Sequence, residues 1–123
     1  MYVLYQKGSL TRRPWPSDGE LLAHFQTDLA GPIEMIHSSG IPDPLVGLMN
    51  AEAFLLGPNA AKVTLDDGIV IQGPIILCAM NAAGDDFGPI PPEILETIEI
   101  GVFPGMPPRF RIALDGDLRS WGP

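Results

Sequence analysis

The sequence contains few of the residues on which disulfide bonding and nucleic-acid binding depend. It has one cysteine, two histidines and seven lysines and arginines against fifteen aspartates and glutamates, which gives a net charge of −8. One cysteine excludes a disulfide within the chain. Direct binding of nucleic acid is not expected, because it needs clustered basic side chains to replace the counterions of the phosphates.

Long hydrophobic runs are also lacking. No apolar run approaches the ~20 residues that a helix needs to cross a bilayer. Residues 1–10 do not have the basic-then-apolar order of a secretory signal. We therefore expect no membrane partner and a cytoplasmic location.

The composition is that of a folded domain. Of 123 residues, 46% are hydrophobic, and the 14 glycines and 14 prolines are spread along the chain without a period. Frequent turn residues of this kind favour short elements joined by many turns. We predict one domain over 1–123 of the α+β class, with a small, mostly antiparallel sheet or a partial barrel.

One amphipathic helix is predicted over about 18–30. Residues 17–20 (SDGE) match a capping box, in which the serine hydroxyl and the glutamate carboxylate satisfy amide groups of the first turn. Gly31 and Pro32 are expected to end the helix, with the glycine as its C-terminal cap. The spacing of the apolar residues predicts a single buried stripe formed by Leu21, Leu22, Phe25 and Leu29.

Several short apolar segments predict strands. The runs at 2–6, 33–37 and 45–50 are rich in strand-forming residues. Residues 75–79 (IILCA) are apolar throughout, which predicts burial on both faces at the centre of the sheet. Cys78 lies in this run, so we expect a small buried hydrophobic residue rather than a nucleophile. Two prolines around Trp15 predict that 9–17 is an irregular loop.

The second half of the chain carries weaker signals. Asn59 has the character of an N-cap, which predicts a short helix near 59–64. Alternation on either side of residues 104–108 (PGMPP) predicts a β-hairpin over 97–114. A helix over 92–99 competes with this hairpin, and at most one helical turn is expected there.

No catalytic or metal-binding constellation stands out. The acid pairs at 66–67 and 85–86 lie in polar turns, where solvation keeps both carboxylates ordinary. His24 and His37 have no metal-ligand spacing, and no phosphate-binding glycine loop is present. We assign no catalytic residue, no metal ligand and no cofactor.

The scarce basic residues are the candidate ligand-binding residues. Arg12 and Arg13 precede Trp15, so the three side chains are predicted to hold a flat or anionic ligand through charge and stacking. For the segment taken alone, the simpler interpretation is favoured, in which it packs as a lid over one end of the core. The remaining candidates are at the predicted helix start or in the hairpin: Asn59, Lys62, Arg109 and Arg111. Self-association into a homo-oligomer would bring such loops together.

Three blocks between residues 25 and 80 resemble the phage and mobile-element family catalogued as domain of unknown function 3846. Residues 25–34 resemble its helix end and Gly-Gly-x-Ile-Glu turn, 49–61 its Asn-Glu-Glu-Gly to Leu-Pro-x-Asn block, and 73–77 its Gly-Asp-Val-Val strand. The resemblance implies a viral or mobile-element origin and a small α+β domain, but no established reaction. The chain departs from these motifs at Ala30, Pro32, Ala51, Ala53 and Pro74.

The expected function is a non-enzymatic accessory protein of a phage or mobile element that sequesters a component of a bacterial host. A small anionic, nucleotide-like ligand is favoured, because the few bases lie beside an aromatic residue and at a predicted helix start. One alternative is an acidic inhibitor that occupies the groove of a basic host protein as a DNA mimic. Another is a small enzyme acting on nucleotides, with His24 or His37 as its base.

Overall fold

The computed structural model describes residues 1–6, 8–41, 43–53, 62–65, 67–81, 83–84, 86–101, 104–105 and 109–112. Residues 110–112 are described by their backbone only. Two helices and ten strands follow one another within these residues. In chain order they are β1 (Tyr2–Gln6), β2 (Ser9–Arg13), α1 (Leu21–Leu29), β3 (Ile33–Ile36), β4 (Leu45–Asn50), β5 (Lys62–Thr64), β6 (Val70–Gln72), β7 (Ile75–Met80), β8 (Phe87–Gly88), α2 (Pro92–Leu95), β9 (Ile98–Gly101) and β10 (Arg109–Ile112).

The strands form two sheets. The first sheet has the order β2-β1-β7-β4-β3, with β8 pairing beside the end of β7, and all of its pairs are antiparallel. The second sheet has the order β6-β5-β10-β9, in which only β5 and β10 run parallel. The predicted α+β class with a mostly antiparallel sheet is therefore confirmed. Both sheets are open in the described part of the chain, which decides against a partial barrel.

The first sheet is the middle layer of three. Side chains on one of its faces pack with Phe25 and Leu29 of α1. Side chains on its other face pack with Val63, Ile71 and Ile98, which belong to the second sheet. A sheet covered in this way has two buried faces, so its strands lose the usual alternation of apolar and polar residues.

Strand β7 shows this arrangement residue by residue. Ile75 and Leu77 belong to the core against the second sheet, whereas Ile76 and Cys78 belong to the core under α1. All four side chains are at most 1% exposed. The prediction that 75–79 forms the buried centre of the sheet is confirmed.

The prediction that 9–17 is an irregular loop is wrong for its first half. Residues 9–13 form β2, which pairs with the whole of β1 from Gln6↔Ser9 to Tyr2↔Arg13. Pro14 comes directly after the last paired residue, so neither proline removes a ladder hydrogen bond. The turn between the strands includes Gly8 at φ +83°, a conformation open to glycine at no steric cost.

The predicted ends of α1 are also corrected. The helix begins at Leu21, and its N-cap residue Glu20 makes no side-chain capping bond; instead Asp18 Oδ1 accepts the Glu20 N–H at 3.0 Å. At the other end the left-handed residue is Ala30 at φ +61°, not Gly31. The helix itself is where the periodicity predicts it, with Phe25 and Leu29 buried. The predicted buried stripe is wrong for Leu22, which is 59% exposed because it lies on the side of α1 that faces away from the sheet.

In the second half of the chain, one prediction is wrong and two are confirmed. The short helix near 59–64 is wrong for Lys62–Thr64, which is strand β5, while 59–61 lies outside the described residues. The hairpin over 97–114 is confirmed for β9 and β10, whose register places Arg111 opposite Glu99. Helix α2 is the single turn that was expected within 92–99.

Candidate functional site

Two adjoining depressions lie along the exposed side of α1, and together we call them the helix-face groove. The first, the Trp15 depression, has a volume of about 370 Å³, and the second, the acidic depression, about 250 Å³. Asp18 and His24 line both and therefore separate them. The other lining residues are Tyr2, Arg13, Pro14, Trp15, Pro16 and Ser17 in the first depression, and Glu20, Ala23, Thr27 and Asp28 in the second.

The segment between β2 and α1 builds the wall of the Trp15 depression. Pro14 and Pro16 restrict the backbone on either side of Trp15. The indole ring packs edge-on against Tyr2 and Phe25, with ring centroids 6.3 Å and 6.1 Å away. Trp15 thus packs on the core, as the structural alternative predicted, and also lines a depression.

Arg13 reaches the same depression because of strand register. It pairs with Tyr2, so both side chains lie on the α1 side of the first sheet. The Tyr2 hydroxyl donates to Asp28 Oδ2 at 2.6 Å, and Arg13 Nε lies 3.9 Å from that oxygen. Arg13 Nε is buried without a hydrogen-bond partner in the described residues, although the side chain as a whole is 43% exposed.

The Tyr2 hydroxyl stays protonated in this setting. Burial raises the pKa of Tyr2 well above its ordinary value, and the hydrogen bond to Asp28 raises it further. Tyr2 therefore holds Asp28 as a neutral donor, which leaves the carboxylate and the nearby guanidinium as the charged groups at this end of the groove.

Asp18 and His24 form the ridge between the depressions. His24 Nε2 and Asp18 Oδ2 are 3.0 Å apart, and both side chains are about half exposed, at 47% and 56%. The hydrogen bond from His24 is the main cause that lowers the pKa of Asp18, followed by the Glu20 N–H. Asp18 is consequently a carboxylate at neutral pH.

The charges of the groove are unevenly distributed. Among the described lining residues, three carboxylates (Asp18, Glu20 and Asp28) face one guanidinium, that of Arg13. All three carboxylates lie in or at the edge of the acidic depression, while Arg13 lines only the Trp15 depression. The groove thus has one end that attracts an anionic group and another that attracts hydrogen-bond donors.

The remaining predicted ligand residues lie elsewhere. Arg12 pairs with Val3, so it is on the opposite face of the sheet from Arg13, and it is exposed. Lys62 is exposed on β5 and Arg109 is paired on β10, both in the second sheet. Asn59 is outside the described residues, and only the backbone of Arg111 is described. Of the predicted set, the structure brings Arg13 and Trp15 together.

Sequence reasoning did not assign four of the polar groove residues to a ligand site: Tyr2, Asp18, Asp28, and His24, which it considered only as the base of an enzyme. For two of them a signal exists, because His24 and Asp28 are four residues apart on a predicted helix and must share one of its faces. Tyr2 has no such signal, since only its register with β2 places it here. Asp18 also has no such signal, because in the sequence it is only an intervening residue of the SDGE capping pattern.

The groups that a catalytic hypothesis would use are dispersed. His37 lines a separate depression of about 290 Å³ with Met35, Ile41 and Met80, away from His24. Burial raises the pKa of the Cys78 thiol to about 12, so it is not a thiolate at neutral pH. Within the described residues no group of three or more histidines, cysteines, aspartates or glutamates is arranged to hold a metal ion.

No protein-family model, curated protein or solved structure matches this chain. In the described part of the chain neither helix, of nine and four residues, has the length and apolar character needed to span a membrane.

Proposed function

We propose that this protein is a non-enzymatic binding protein that sequesters a small anionic, nucleotide-like ligand in the helix-face groove. In the biological setting that we propose, it is an accessory protein of a phage or mobile element, and the ligand is a component of the host cytoplasm. One observation carries the binding proposal: Arg13 and Trp15 line the same depression.

Arg13 supplies the anion-binding group. Its side chain is 43% exposed, its Nε has no hydrogen-bond partner in the described residues, and the nearest carboxylate is 3.9 Å away. That separation is longer than a charge-assisted hydrogen bond of about 2.8 Å. Because Nε itself is buried, the terminal nitrogens of this partly exposed side chain are the donors that would meet a phosphate, which the planar fork matches in geometry.

Trp15 supplies the aromatic group. Its edge-to-face contacts with Tyr2 and Phe25 hold the ring in place before a ligand arrives. A preorganised ring costs little ordering entropy on binding, and stacking of a base on an aromatic side chain is worth about 1–3 kcal/mol. The depression of about 370 Å³ is within the size range of small-molecule sites.

The test is isothermal titration calorimetry of nucleoside monophosphates against the wild type, Arg13→Gln and Arg12→Gln. We expect Arg13→Gln to weaken binding by about ten- to a hundredfold, because hydrogen bonds to a charged group contribute about 1.5–3 kcal/mol. Arg12→Gln is the matched control, since it removes the same charge from the opposite face of the same strand. If Arg12→Gln binds nucleotide within about twofold of the wild-type affinity, the loss of affinity in Arg13→Gln is due to the groove.

Circular dichroism and the unfolding midpoint of both variants establish that each one is folded. Absence of nucleotide binding by the wild type, or an equal loss in both arginine variants, would overturn the proposal. The second outcome would mean that net charge alone attracts the ligand.

The hydrogen bond between Asp18 and His24 favours a second candidate, a small enzyme acting on nucleotides. A carboxylate that orients an imidazole is a common arrangement for a general base. Incubation with nucleotides followed by chromatography distinguishes the two functions. Turnover that disappears in His24→Gln supports the enzyme, whereas nucleotide that stays intact with the wild type, although it binds, supports sequestration.

A further inference from the structure

The acidic depression limits which functional groups the ligand can have in addition to its anionic group. It continues the Trp15 depression, since Asp18 and His24 line both. A ligand whose phosphate is at Arg13 and whose ring lies on Trp15 therefore borders Asp18. The chemistry of that border decides which rings bind well.

Electrostatics oppose a ligand that is anionic throughout. Three carboxylates line the groove against one guanidinium, and Asp28 lies 3.9 Å from that guanidinium. The Asp18 carboxylate accepts hydrogen bonds from His24 and from the Glu20 N–H, which lower its pKa below the ordinary value. A carboxylate is a pure acceptor with about four lone-pair sites, so each oxygen of Asp18 still accepts a further hydrogen bond.

We infer that the ligand is a nucleotide whose base carries an exocyclic amino group, which donates to Asp18 at the border of the acidic depression. This inference rests on the proposed function. It assigns Asp18 as the specificity-determining residue, with His24 as the positioning residue that holds the carboxylate toward the groove. Carboxylates accept readily from amino groups of bases, whereas a carbonyl oxygen in the same place leaves two acceptors facing each other.

Two matched pairs of probes isolate the amino group. Guanosine monophosphate and inosine monophosphate differ only by the 2-amino group, and adenosine monophosphate and purine riboside monophosphate differ only by the 6-amino group. We expect the amino-bearing member of at least one pair to bind tenfold or more tightly to the wild type.

The Asp18→Asn variant sharpens the test. In Asp18→Asn the preference for the amino-bearing nucleotide should fall to threefold or less in the pair that shows it. The reason is that an amide can both donate and accept hydrogen bonds, so it pairs with a base of either kind. At the same time the member of that pair without the amino group binds as well as before or better, because one repulsive charge has been removed. Glu93→Gln is the matched control, since it removes an exposed carboxylate from α2, outside the groove, and should leave the preference intact.

The outcomes separate the two hypotheses. Equal binding within both pairs, with affinity still dependent on Arg13, overturns the amino-group inference and leaves the proposed function standing. A tenfold preference that persists in Asp18→Asn also overturns it, because the selectivity then comes from another group. If no probe binds the wild type, the proposed function itself has failed.

Discussion

The two faces of the first sheet are covered in different ways. On one face lies the second sheet, and the core between them is formed by aliphatic side chains together with Tyr5. On the other face lies α1, a helix of only nine residues, and the core beneath it includes the rings of Tyr2 and Phe25.

This difference shows why the groove is where it is. A sheet that packs on another sheet closes the space between them, whereas one short helix leaves a margin uncovered. Arg13, Asp18, His24 and Asp28 collect along that margin, next to the aromatic groups of the helix-side core. The closed face therefore stabilises the fold, and the open face provides the candidate site.

The largest expected effect tests whether both faces are buried equally at the centre. Ile75 and Ile76 are adjacent in β7, face opposite ways and are both 0% exposed. Ile75→Ala and Ile76→Ala should each lower the free energy of unfolding by about 2–5 kcal/mol, measured by urea denaturation. Val70→Ala, on the exposed edge strand β6, should change it by about 0.5 kcal/mol or less. A small loss in Ile76→Ala alone would show that α1 does not cover its face.

A smaller effect is expected where the helix is joined to the sheet. The buried Asn50 of β4 donates to the Leu29 carbonyl at 3.1 Å and accepts from the Glu52 N–H at 2.7 Å. Asn50→Ala leaves both groups without this partner and should lower the free energy of unfolding by about 1–3 kcal/mol. Gln26→Ala, an exposed change on the same helix, is the control. Equal losses in the two variants would contradict this role for Asn50.

The end of α1 offers a pair of opposite substitutions. Ala30 has φ +61°, a left-handed conformation that is costly for a residue with a Cβ atom, so Ala30→Gly should raise the free energy of unfolding by about 1 kcal/mol. At Gly31 an added Cβ would lie 2.7 Å from Asn50 Nδ2, so Gly31→Ala should lower it. Urea denaturation measures both. Destabilisation by Ala30→Gly would show that residue 30 does not have a left-handed backbone conformation.

The smallest effect concerns the ridge of the groove. In the folded protein the His24 hydrogen bond and the Glu20 N–H lower the pKa of Asp18 below its ordinary value of 3.8. The contribution of Asp18 to stability is therefore present above pH 3.8 and is lost as the pH falls through the lower, folded-state pKa. His24→Ala should move the Asp18 pKa back toward 3.8, as followed by carbon NMR of the carboxyl group. His37→Ala is the control, and an Asp18 titration that is the same in all three proteins would exclude the interaction.

Much of the local structure could be predicted from the sequence. The apolar run at 75–79 predicts a doubly buried strand, and the apolar spacing over 21–29 predicts the helix, because each pattern records which side chains meet the core. The two prolines predict an irregular segment over 9–17 and so do not reveal β2, because Pro14 and Pro16 come only after its last paired residue. The left-handed residue was misassigned to Gly31, since Ala30 rarely adopts that conformation.

For the candidate site, the order of residues along the chain was enough to place Arg13 two residues before Trp15. Packing between segments puts Arg12 and Arg13 on opposite faces of the first sheet, covers the Arg13 face with α1, and brings Tyr2 and Asp28 together although 26 residues separate them. The physical reason is that alternation along a strand is a local property, whereas the layer that covers each face depends on packing between distant segments.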